Sequence, residues 1–92
     1  DPNDEGLAKR LLFVAFNDVS DAVRIATARK LLASKDAKTR AETLKLVRDD
    51  SVYIATSVLK MLESGSEAAD LDAIRLALVD QRPLVQACAL LV

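Results

Sequence analysis

Three similar stretches decide the fold of this chain: DVSDAVRIA at residues 18–26, DDSVYIATS at 49–57 and DQRPLVQAC at 80–88. Each begins with an aspartate, and the aspartates are 31 residues apart with no insertion. A β-branched residue follows five positions later, and a small residue three positions after that. These residues are Val23, Ile54 and Val85, then Ala26, Ser57 and Cys88. A strict period of this length indicates a stack of similar supersecondary units.

Length and composition limit the possible folds. Ninety-two residues predict a single domain, residues 1–92. Hydrophobic residues make up 51% of the chain but aromatic residues only 3%, so the core must be aliphatic. Thirteen basic residues are offset by fourteen acidic ones, which argues against nucleic acid as a partner. The single cysteine, Cys88, allows no disulfide within the chain and is expected to be a buried structural thiol.

The chain carries no signal for secretion or membrane insertion. Its first residues are polar and acidic, and its longest apolar run, residues 87–92, is far too short to cross a bilayer. The expected location is therefore the cytoplasm, or a recombinant soluble preparation, and no membrane partner is expected.

Apolar residues recur at helical spacing along almost the whole chain, which predicts an all-α fold. The first of six predicted helices begins at Asp1, and the others cover about 20–33, 36–48, 52–64, 67–79 and 83–92. Gly65 and Ser66 are expected to end the fourth helix and cap the fifth. The short linkers predict antiparallel neighbours. The predicted buried positions are Leu7, Leu11, Val14 and Ala15; Val23, Ile25, Ala26 and Leu31; Ala37, Ala41, Leu44 and Val47; and Ile54, Val58, Met61 and Leu62.

An aspartate between helices, followed by a Val-Arg-x-x-Ala segment, resembles the short variant of the HEAT repeat. The resemblance implies three helix pairs, in residues 1–31, 32–62 and 63–92, that stack into an open solenoid. The aspartates are interpreted as helix caps, and for the second helix either Asp18 or Ser20 is expected to be the cap. In one respect the chain departs from the family pattern: only Arg24 keeps the arginine, and its equivalents are Ala55 and Gln86. The charged ladder of the family should therefore be largely absent, and stacking should rest on packing.

The last predicted helix is apolar on every side, since Gln86 is its only polar residue after Pro83. A terminal solenoid helix should instead turn a polar face to water. Three explanations are open. The first is a chain cut from a longer solenoid, and the second is self-association through this helix. The third is a closed globule of six helices with helix six at its centre.

Residues that carry chemistry are scarce. The sequence has no histidine, its two glycines stand apart, and its acidic clusters lie where helices begin. We therefore expect no enzyme activity and no cofactor or metal. A partner protein could instead contact the face of the second helices, where the candidates are Arg24, Thr27, Tyr53 and Gln86.

Two functions follow from this reasoning. The first is a structural scaffold, a designed helical fold with no natural ligand and no required partner. The alternative is a natural HEAT-like module that binds a partner protein. A designed chain is expected to be unusually stable to heat, whereas a natural one should have relatives with more repeats.

Overall fold

The computed structural model describes residues 5–62 and 68–91, and these confirm the all-α class. The α-helices are α1 (Glu5–Asn17), α2 (Asp21–Leu32), α3 (Ala37–Leu44), α4 (Val52–Met61), α5 (Ala68–Leu78) and α6 (Pro83–Leu91). A 3₁₀-helix, Lys45–Arg48, follows α3 directly. The predicted helix start at Asp1, the end at Ser64, the roles of Gly65, Ser66 and Glu67, and the position of Val92 lie outside the described residues.

The three periodic aspartates form the same local structure. Each backbone N–H closes the preceding helix, as Asp18 does on the Val14 carbonyl at 3.0 Å. Each carboxylate then accepts the backbone N–H two residues ahead, at 2.8 Å from Ser20, 2.9 Å from Ser51 and 2.9 Å from Arg82. This is the Asx turn, which tolerates a sharp change of direction. One aspartate therefore ends one helix and orients the next.

The residues that cap helices α2 and α4 are serines. Ser20 and Ser51 occupy the N-cap positions, and their hydroxyl oxygens accept from Val23 N–H and Ile54 N–H, both at 3.3 Å. For the second helix the alternative Ser20 is therefore confirmed, and the interpretation of the aspartates as caps is corrected, because they lie two residues before the capping position. The reason is the reach of the carboxylate, which closes a turn with residue i+2 and leaves the next free N–H to serine.

The predicted third helix keeps its helical character and part of its predicted face, since Leu44 and Val47 are buried as predicted. Ala37 and Ala41 are exposed, whereas Thr39 and Thr43 are buried. Their hydroxyls are satisfied, by the Asp36 carboxylate at 2.6 Å and the Thr39 carbonyl at 2.8 Å, so burial leaves no unpaired group. The chain then tightens into the 3₁₀-helix, which buries both Leu46 and Val47.

The chain divides into two compact units, Asp1–Thr43 and Leu44–Val92, here called unit 1 and unit 2. In unit 1, α1 packs against α2. Its buried residues include Ala15, Ala28, Leu31 and Leu32, while Leu7, Leu11 and Val14 are only half-buried. The prediction of one domain for residues 1–92 stays a prediction.

Two predicted buried positions of α2 are wrong. Val23 is 43% exposed and Ala26 is also exposed, whereas the intervening Arg24 is buried. The Arg24 guanidinium lies along α1, where its Nε donates to the Ala15 carbonyl at 2.8 Å. A hydrogen-bonded arginine thus takes the inward direction that the apolar pattern assigned to valine.

Unit 2 holds the larger aliphatic core. Here α6 packs against both α4 and α5, and the 3₁₀-helix packs against the same two helices. The fully buried side chains include Leu46, Val47, Ile54, Val58, Leu59 and Val85. In α4, Ile54, Val58 and Leu62 are buried as predicted, while Met61 is half-buried.

Helix α6 buries only one side. Val85, Cys88 and Ala89 face inward, while Leu84, Leu90 and Leu91 are exposed. The central placement of helix six in the alternative of a closed globule is therefore corrected, whereas the choice between a closed globule and an open stack stays a prediction. The apolar pattern alone was ambiguous, because a helix that is apolar all round shows no preferred face until its neighbours are known.

Candidate interaction surface

Arg82 joins two of the aspartate turns in unit 2. Its Nε and Nη2 donate to the two carboxylate oxygens of Asp80, at 3.0 and 2.9 Å, and its Nη1 donates to the Asp49 carbonyl. A guanidinium held by both carboxylate oxygens has a fixed orientation, which directs its Nη1 toward the Asp49 carbonyl. The turn before α6 is thereby bound to the turn before α4.

This link is reflected in the acid–base properties of the pair. Hydrogen bonds from the Arg82 side chain, then from its backbone, lower the pKa of Asp80 from the ordinary value of 3.8 to about 2. The Asp80 carboxylate in turn raises the pKa of Arg82. Asp36 in unit 1 shows a weaker form of the same effect, since the hydrogen bond from the Thr39 hydroxyl lowers its pKa.

Sequence reasoning missed Arg82, although a signal was present. The period aligns Arg82 with Ser20 and Ser51, so it is the exception at the capping position. The absence of the charged ladder stays a prediction, but the expectation that contacts would rest on packing alone is corrected in unit 2 by the Arg82 link. This link comes from position 82. Gln86, which stands where the HEAT pattern has an arginine, instead donates to the Asp80 carbonyl.

Most of the predicted partner-binding residues are engaged within their own repeat. Arg24 is buried against the Ala15 carbonyl, and the Thr27 hydroxyl donates to the Val23 carbonyl at 2.7 Å. Gln86 is exposed but bonded to Asp80. Tyr53 differs from these three, because 61% of its surface is exposed. No common site of all four residues is described, and their binding role stays a prediction.

Tyr53 has an exposed apolar counterpart one period later. Leu84 occupies the equivalent position of α6 and is 68% exposed. The helices that carry them, α4 and α6, pack against each other in unit 2. Tyr53 and Leu84 are here called the second-helix row. An exposed aromatic ring with a polar tip and an exposed aliphatic side chain on neighbouring helices suit a protein contact.

A cleft of about 460 Å³ lies in unit 1, between α1 and the start of α3. Charged side chains of both signs line it, among them Glu5, Lys9, Asp36, Lys38 and Glu42. Because the charges alternate in sign, the cleft selects no anion or cation by its overall field.

Two further properties concern the described residues only. Among residues 5–62 and 68–91, no cluster of three or more histidine, cysteine or acidic side chains is arranged to hold a metal ion. Within the same ranges, none of the helices has the length and apolar content needed to span a membrane.

Comparison with known proteins adds no relative. No protein-family model, no curated protein and no solved structure matches this chain.

Proposed function

We propose that this chain is a HEAT-like helical-repeat scaffold without catalytic activity. The observation that supports the proposal is the recurrence of one Asx turn every 31 residues, at Asp18, Asp49 and Asp80. Identical turns impose similar changes of direction on successive helices. Repeated turns of this kind are expected in a solenoid, where each repeat contacts mainly its neighbours.

Unit 2 supplies the second support. Helix α6 packs against α4, which lies one period earlier, and α5 packs against the 3₁₀-helix, which continues the equivalent helix of the previous repeat. Cys88 adds a contact of its Sγ with the Thr56 carbonyl at 3.6 Å. Contacts between period-equivalent elements are what a stack of helix pairs requires.

The role proposed for such a scaffold is structural: it keeps the helices, and the surface that they form, in a fixed arrangement. The sequence contains no histidine, and the described carboxylates with shifted pKa values are occupied by structural hydrogen bonds. Asp80 is held by Arg82, and Asp36 by Thr39. These hydrogen bonds stabilise turns, so a structural role explains the shifted pKa values without a substrate.

The scaffold proposal is tested by adding one period. Residues 49–79 are duplicated and inserted after Val79, so that each junction again joins Val79 to an aspartate. In an open stack the insertion extends the array, and helix content and the urea midpoint of unfolding should be maintained or rise. The matched control inserts the same residues in scrambled order. Loss of cooperative unfolding in both extended chains would contradict the proposal.

A second candidate function is binding of a partner protein through the second-helix row. The observation in its favour is the exposure of Tyr53 and Leu84 at equivalent positions of neighbouring helices. Peptides selected from a display library against the whole chain should lose binding to a Tyr53→Ala, Leu84→Ala variant. They should retain binding to a Leu76→Ala, Val79→Ala variant, which alters exposed residues elsewhere in unit 2. Equal binding to both variants would contradict this function.

Whether the chain is designed or natural is part of the proposal, and the two origins predict different unfolding temperatures. A designed scaffold is expected to unfold only above about 90 °C, whereas natural domains of this size unfold at about 45–65 °C. The exposed Phe13, Val19 and Leu90 favour the lower range, because idealised designs limit exposed large apolar side chains. A thermal melt followed by circular dichroism decides between the two ranges.

A further inference from the structure

Equivalent positions of successive repeats differ in burial in a systematic way. Leu59 of α4 is 0% exposed, but Leu90, its equivalent in α6, is 75% exposed. Val47 of the 3₁₀-helix is 1% exposed, but Leu78, its equivalent in α5, is 40% exposed. All four residues belong to unit 2. The side chains are similar in size and type, so the difference lies in what stands beside them.

Leu59 and Val47, the two buried residues, lie on elements that each have another helix packed against them. Helix α4 has α6 packed against it, and the 3₁₀-helix has α5 packed against it. No later helix of the described chain performs this role for α5 and α6. Four of the exposed apolar residues of these two helices are here called the end face: Leu71, Leu78, Ala87 and Leu90. Leu76, Leu84 and Leu91 are exposed as well but are not included in it. Unit 2 therefore shows what covers such a face, namely the inward side of a helix pair.

The inward side of α6 is identified by its contacts. Cys88 reaches the Thr56 carbonyl of α4, and Val85, one turn earlier on the same side, is fully buried. The period equivalents of Val85 and Cys88 in α2 are Val23 and Ala26, and both are exposed. Val23 and Ala26 are here called the start face. The chain thus carries one exposed surface of each complementary type.

We infer that the end face of one molecule docks onto the start face of a second copy of this chain, head to tail. The occupant follows from continuity with the α4–α6 interface, in which the side of α6 bearing Val85 and Cys88 meets α4 at Thr56, one turn before the buried Leu59. The start face repeats the covering side with a valine and an alanine. Because the two faces differ, the contact is heterologous, and copies add in one direction without closing.

Electrostatics permit this contact. Helix α6 has no charged residue between Pro83 and Leu91. The described charged residue between Leu71 and Leu78 on the same side of α5 is Arg75, which pairs with Asp72 at 3.3 Å. The end face therefore presents an apolar surface beside a neutralised pair. On the start-face side of α2, the exposed Lys30 follows Ala26 by one turn and adds a single positive charge, which meets no net charge of the same sign on the end face.

The experiment uses the whole chain and two matched pairs of lysine variants. Leu90→Lys places a charge in the end face, whereas Leu91→Lys places the same charge one residue later, where the equivalent residue is the exposed Lys60. Val23→Lys alters the start face, whereas Ala22→Lys alters the exposed residue beside it. Ala26→Lys is a second start-face variant, and circular dichroism confirms that each variant is folded.

Sedimentation equilibrium of the parent chain should give a mass above 10.0 kDa that rises with concentration without levelling at the dimer. Leu90→Lys and Val23→Lys should each weaken association by about tenfold to a hundredfold, the loss expected for one buried aliphatic side chain. Leu91→Lys and Ala22→Lys should associate like the parent. An equimolar mixture of the Leu90→Lys and Val23→Lys variants should form a complex that stops at two chains, because each retains one intact face.

The docking inference rests on the proposed repeat scaffold, which defines the equivalent positions. The two proposals fail in different experiments. If the chain with a duplicated period folds but the parent remains a monomer at high concentration, the docking inference alone is overturned. A Val23→Lys variant that is folded and still associates, together with a monomeric Leu90→Lys variant, also overturns it. That result would show a symmetric contact between two end faces.

Discussion

Unit 1 and unit 2 contain the same 31-residue period but differ in how their helices are held. Among the described residues, the largest fully buried side chains lie in unit 2, with the exception of Thr43. Both units leave large apolar side chains exposed, such as Phe13 and Val19 in unit 1 and Leu90 in unit 2, and unit 1 also contains the charged cleft beside α1. A shared sequence period therefore does not produce equal packing.

Both units contain hydrogen bonds from long side chains to backbone, and they differ in the core that accompanies these bonds. Arg24 donates to the Ala15 carbonyl, and Arg40 donates to the Leu32 carbonyl. In unit 2 the Arg82 link accompanies an aliphatic core around Leu46, Val58 and Leu59. Burial of an aliphatic side chain stabilises a fold more than one such hydrogen bond does, so we expect unit 2 to be the more stable of the two.

The largest expected effect comes from removing a core leucine in each unit. Leu59→Ala should lower the free energy of unfolding by about 2–5 kcal/mol, because the surrounding side chains close only partly around the cavity. Leu31→Ala in unit 1 should fall at the low end of this range, since the looser packing can relax. Urea unfolding measures both values. An equal or larger loss for Leu31→Ala would contradict the proposed difference between the units.

The buried arginine of unit 1 provides the second test. Arg24→Met keeps much of the apolar stem but leaves the Ala15 carbonyl without its partner, which should cost about 1–3 kcal/mol. Arg29→Met in the same helix alters an exposed residue and should change stability by less than about 0.5 kcal/mol. Hydrogen exchange of the amides of α1 and α2 should show the loss. If both variants behave alike, Arg24 does not hold α2 to α1.

The helix caps should contribute equally to the stability of the two units, because a cap depends only on residues that are close in sequence. Ser20→Ala and Ser51→Ala each remove the acceptor for one backbone N–H at 3.3 Å. Each should cost about 1 kcal/mol, with similar values in unit 1 and unit 2. Thermal unfolding of the two variants measures the effect. A clear inequality between Ser20→Ala and Ser51→Ala would mean that the surrounding packing controls the caps.

The smallest expected effect is a pH dependence that belongs to unit 2. The pKa of Asp80 is about 2 in the folded chain, below the ordinary 3.8, so its carboxylate stabilises the fold fully above the ordinary value. That contribution is lost as the pH falls through about 2. The stability difference between the parent and Asp80→Asn should therefore be constant near neutral pH and shrink between about pH 4 and 2. A difference that does not change over this window would contradict the role of the Arg82 pair.

Several features were predictable from local sequence. The helices, the Pro83 start of α6 and the special role of each aspartate follow from patterns within a few residues. The inward faces were less predictable. Val23 and Arg24 show the reason, since the choice between them depends on whether a carbonyl of α1 is within reach of the guanidinium. Such a partner, nine residues away in sequence, leaves no periodic signal.

Of the candidate interaction surface, sequence reasoning identified Tyr53 but not its relation to Leu84. It also did not separate the residues of α6 by face, because an apolar run contains no information about which neighbour covers each side. The burial of Val85 and the exposure of Leu90 depend on α4 and α5 being present and on no later described helix being present. Arg82 was recognisable only as an exception at a position that is otherwise serine.

The amino-acid sequence by itself determined the helical class, the 31-residue period and the turns at Asp18, Asp49 and Asp80, because capping, turn formation and apolar spacing act over a few residues. Only the tertiary structure decided which equivalent positions are buried, which arginine links two turns, and which side of α6 stays exposed. These outcomes depend on surfaces that meet from distant parts of the chain. A repeated sequence offers the same surface several times, and the neighbours determine which copies are covered.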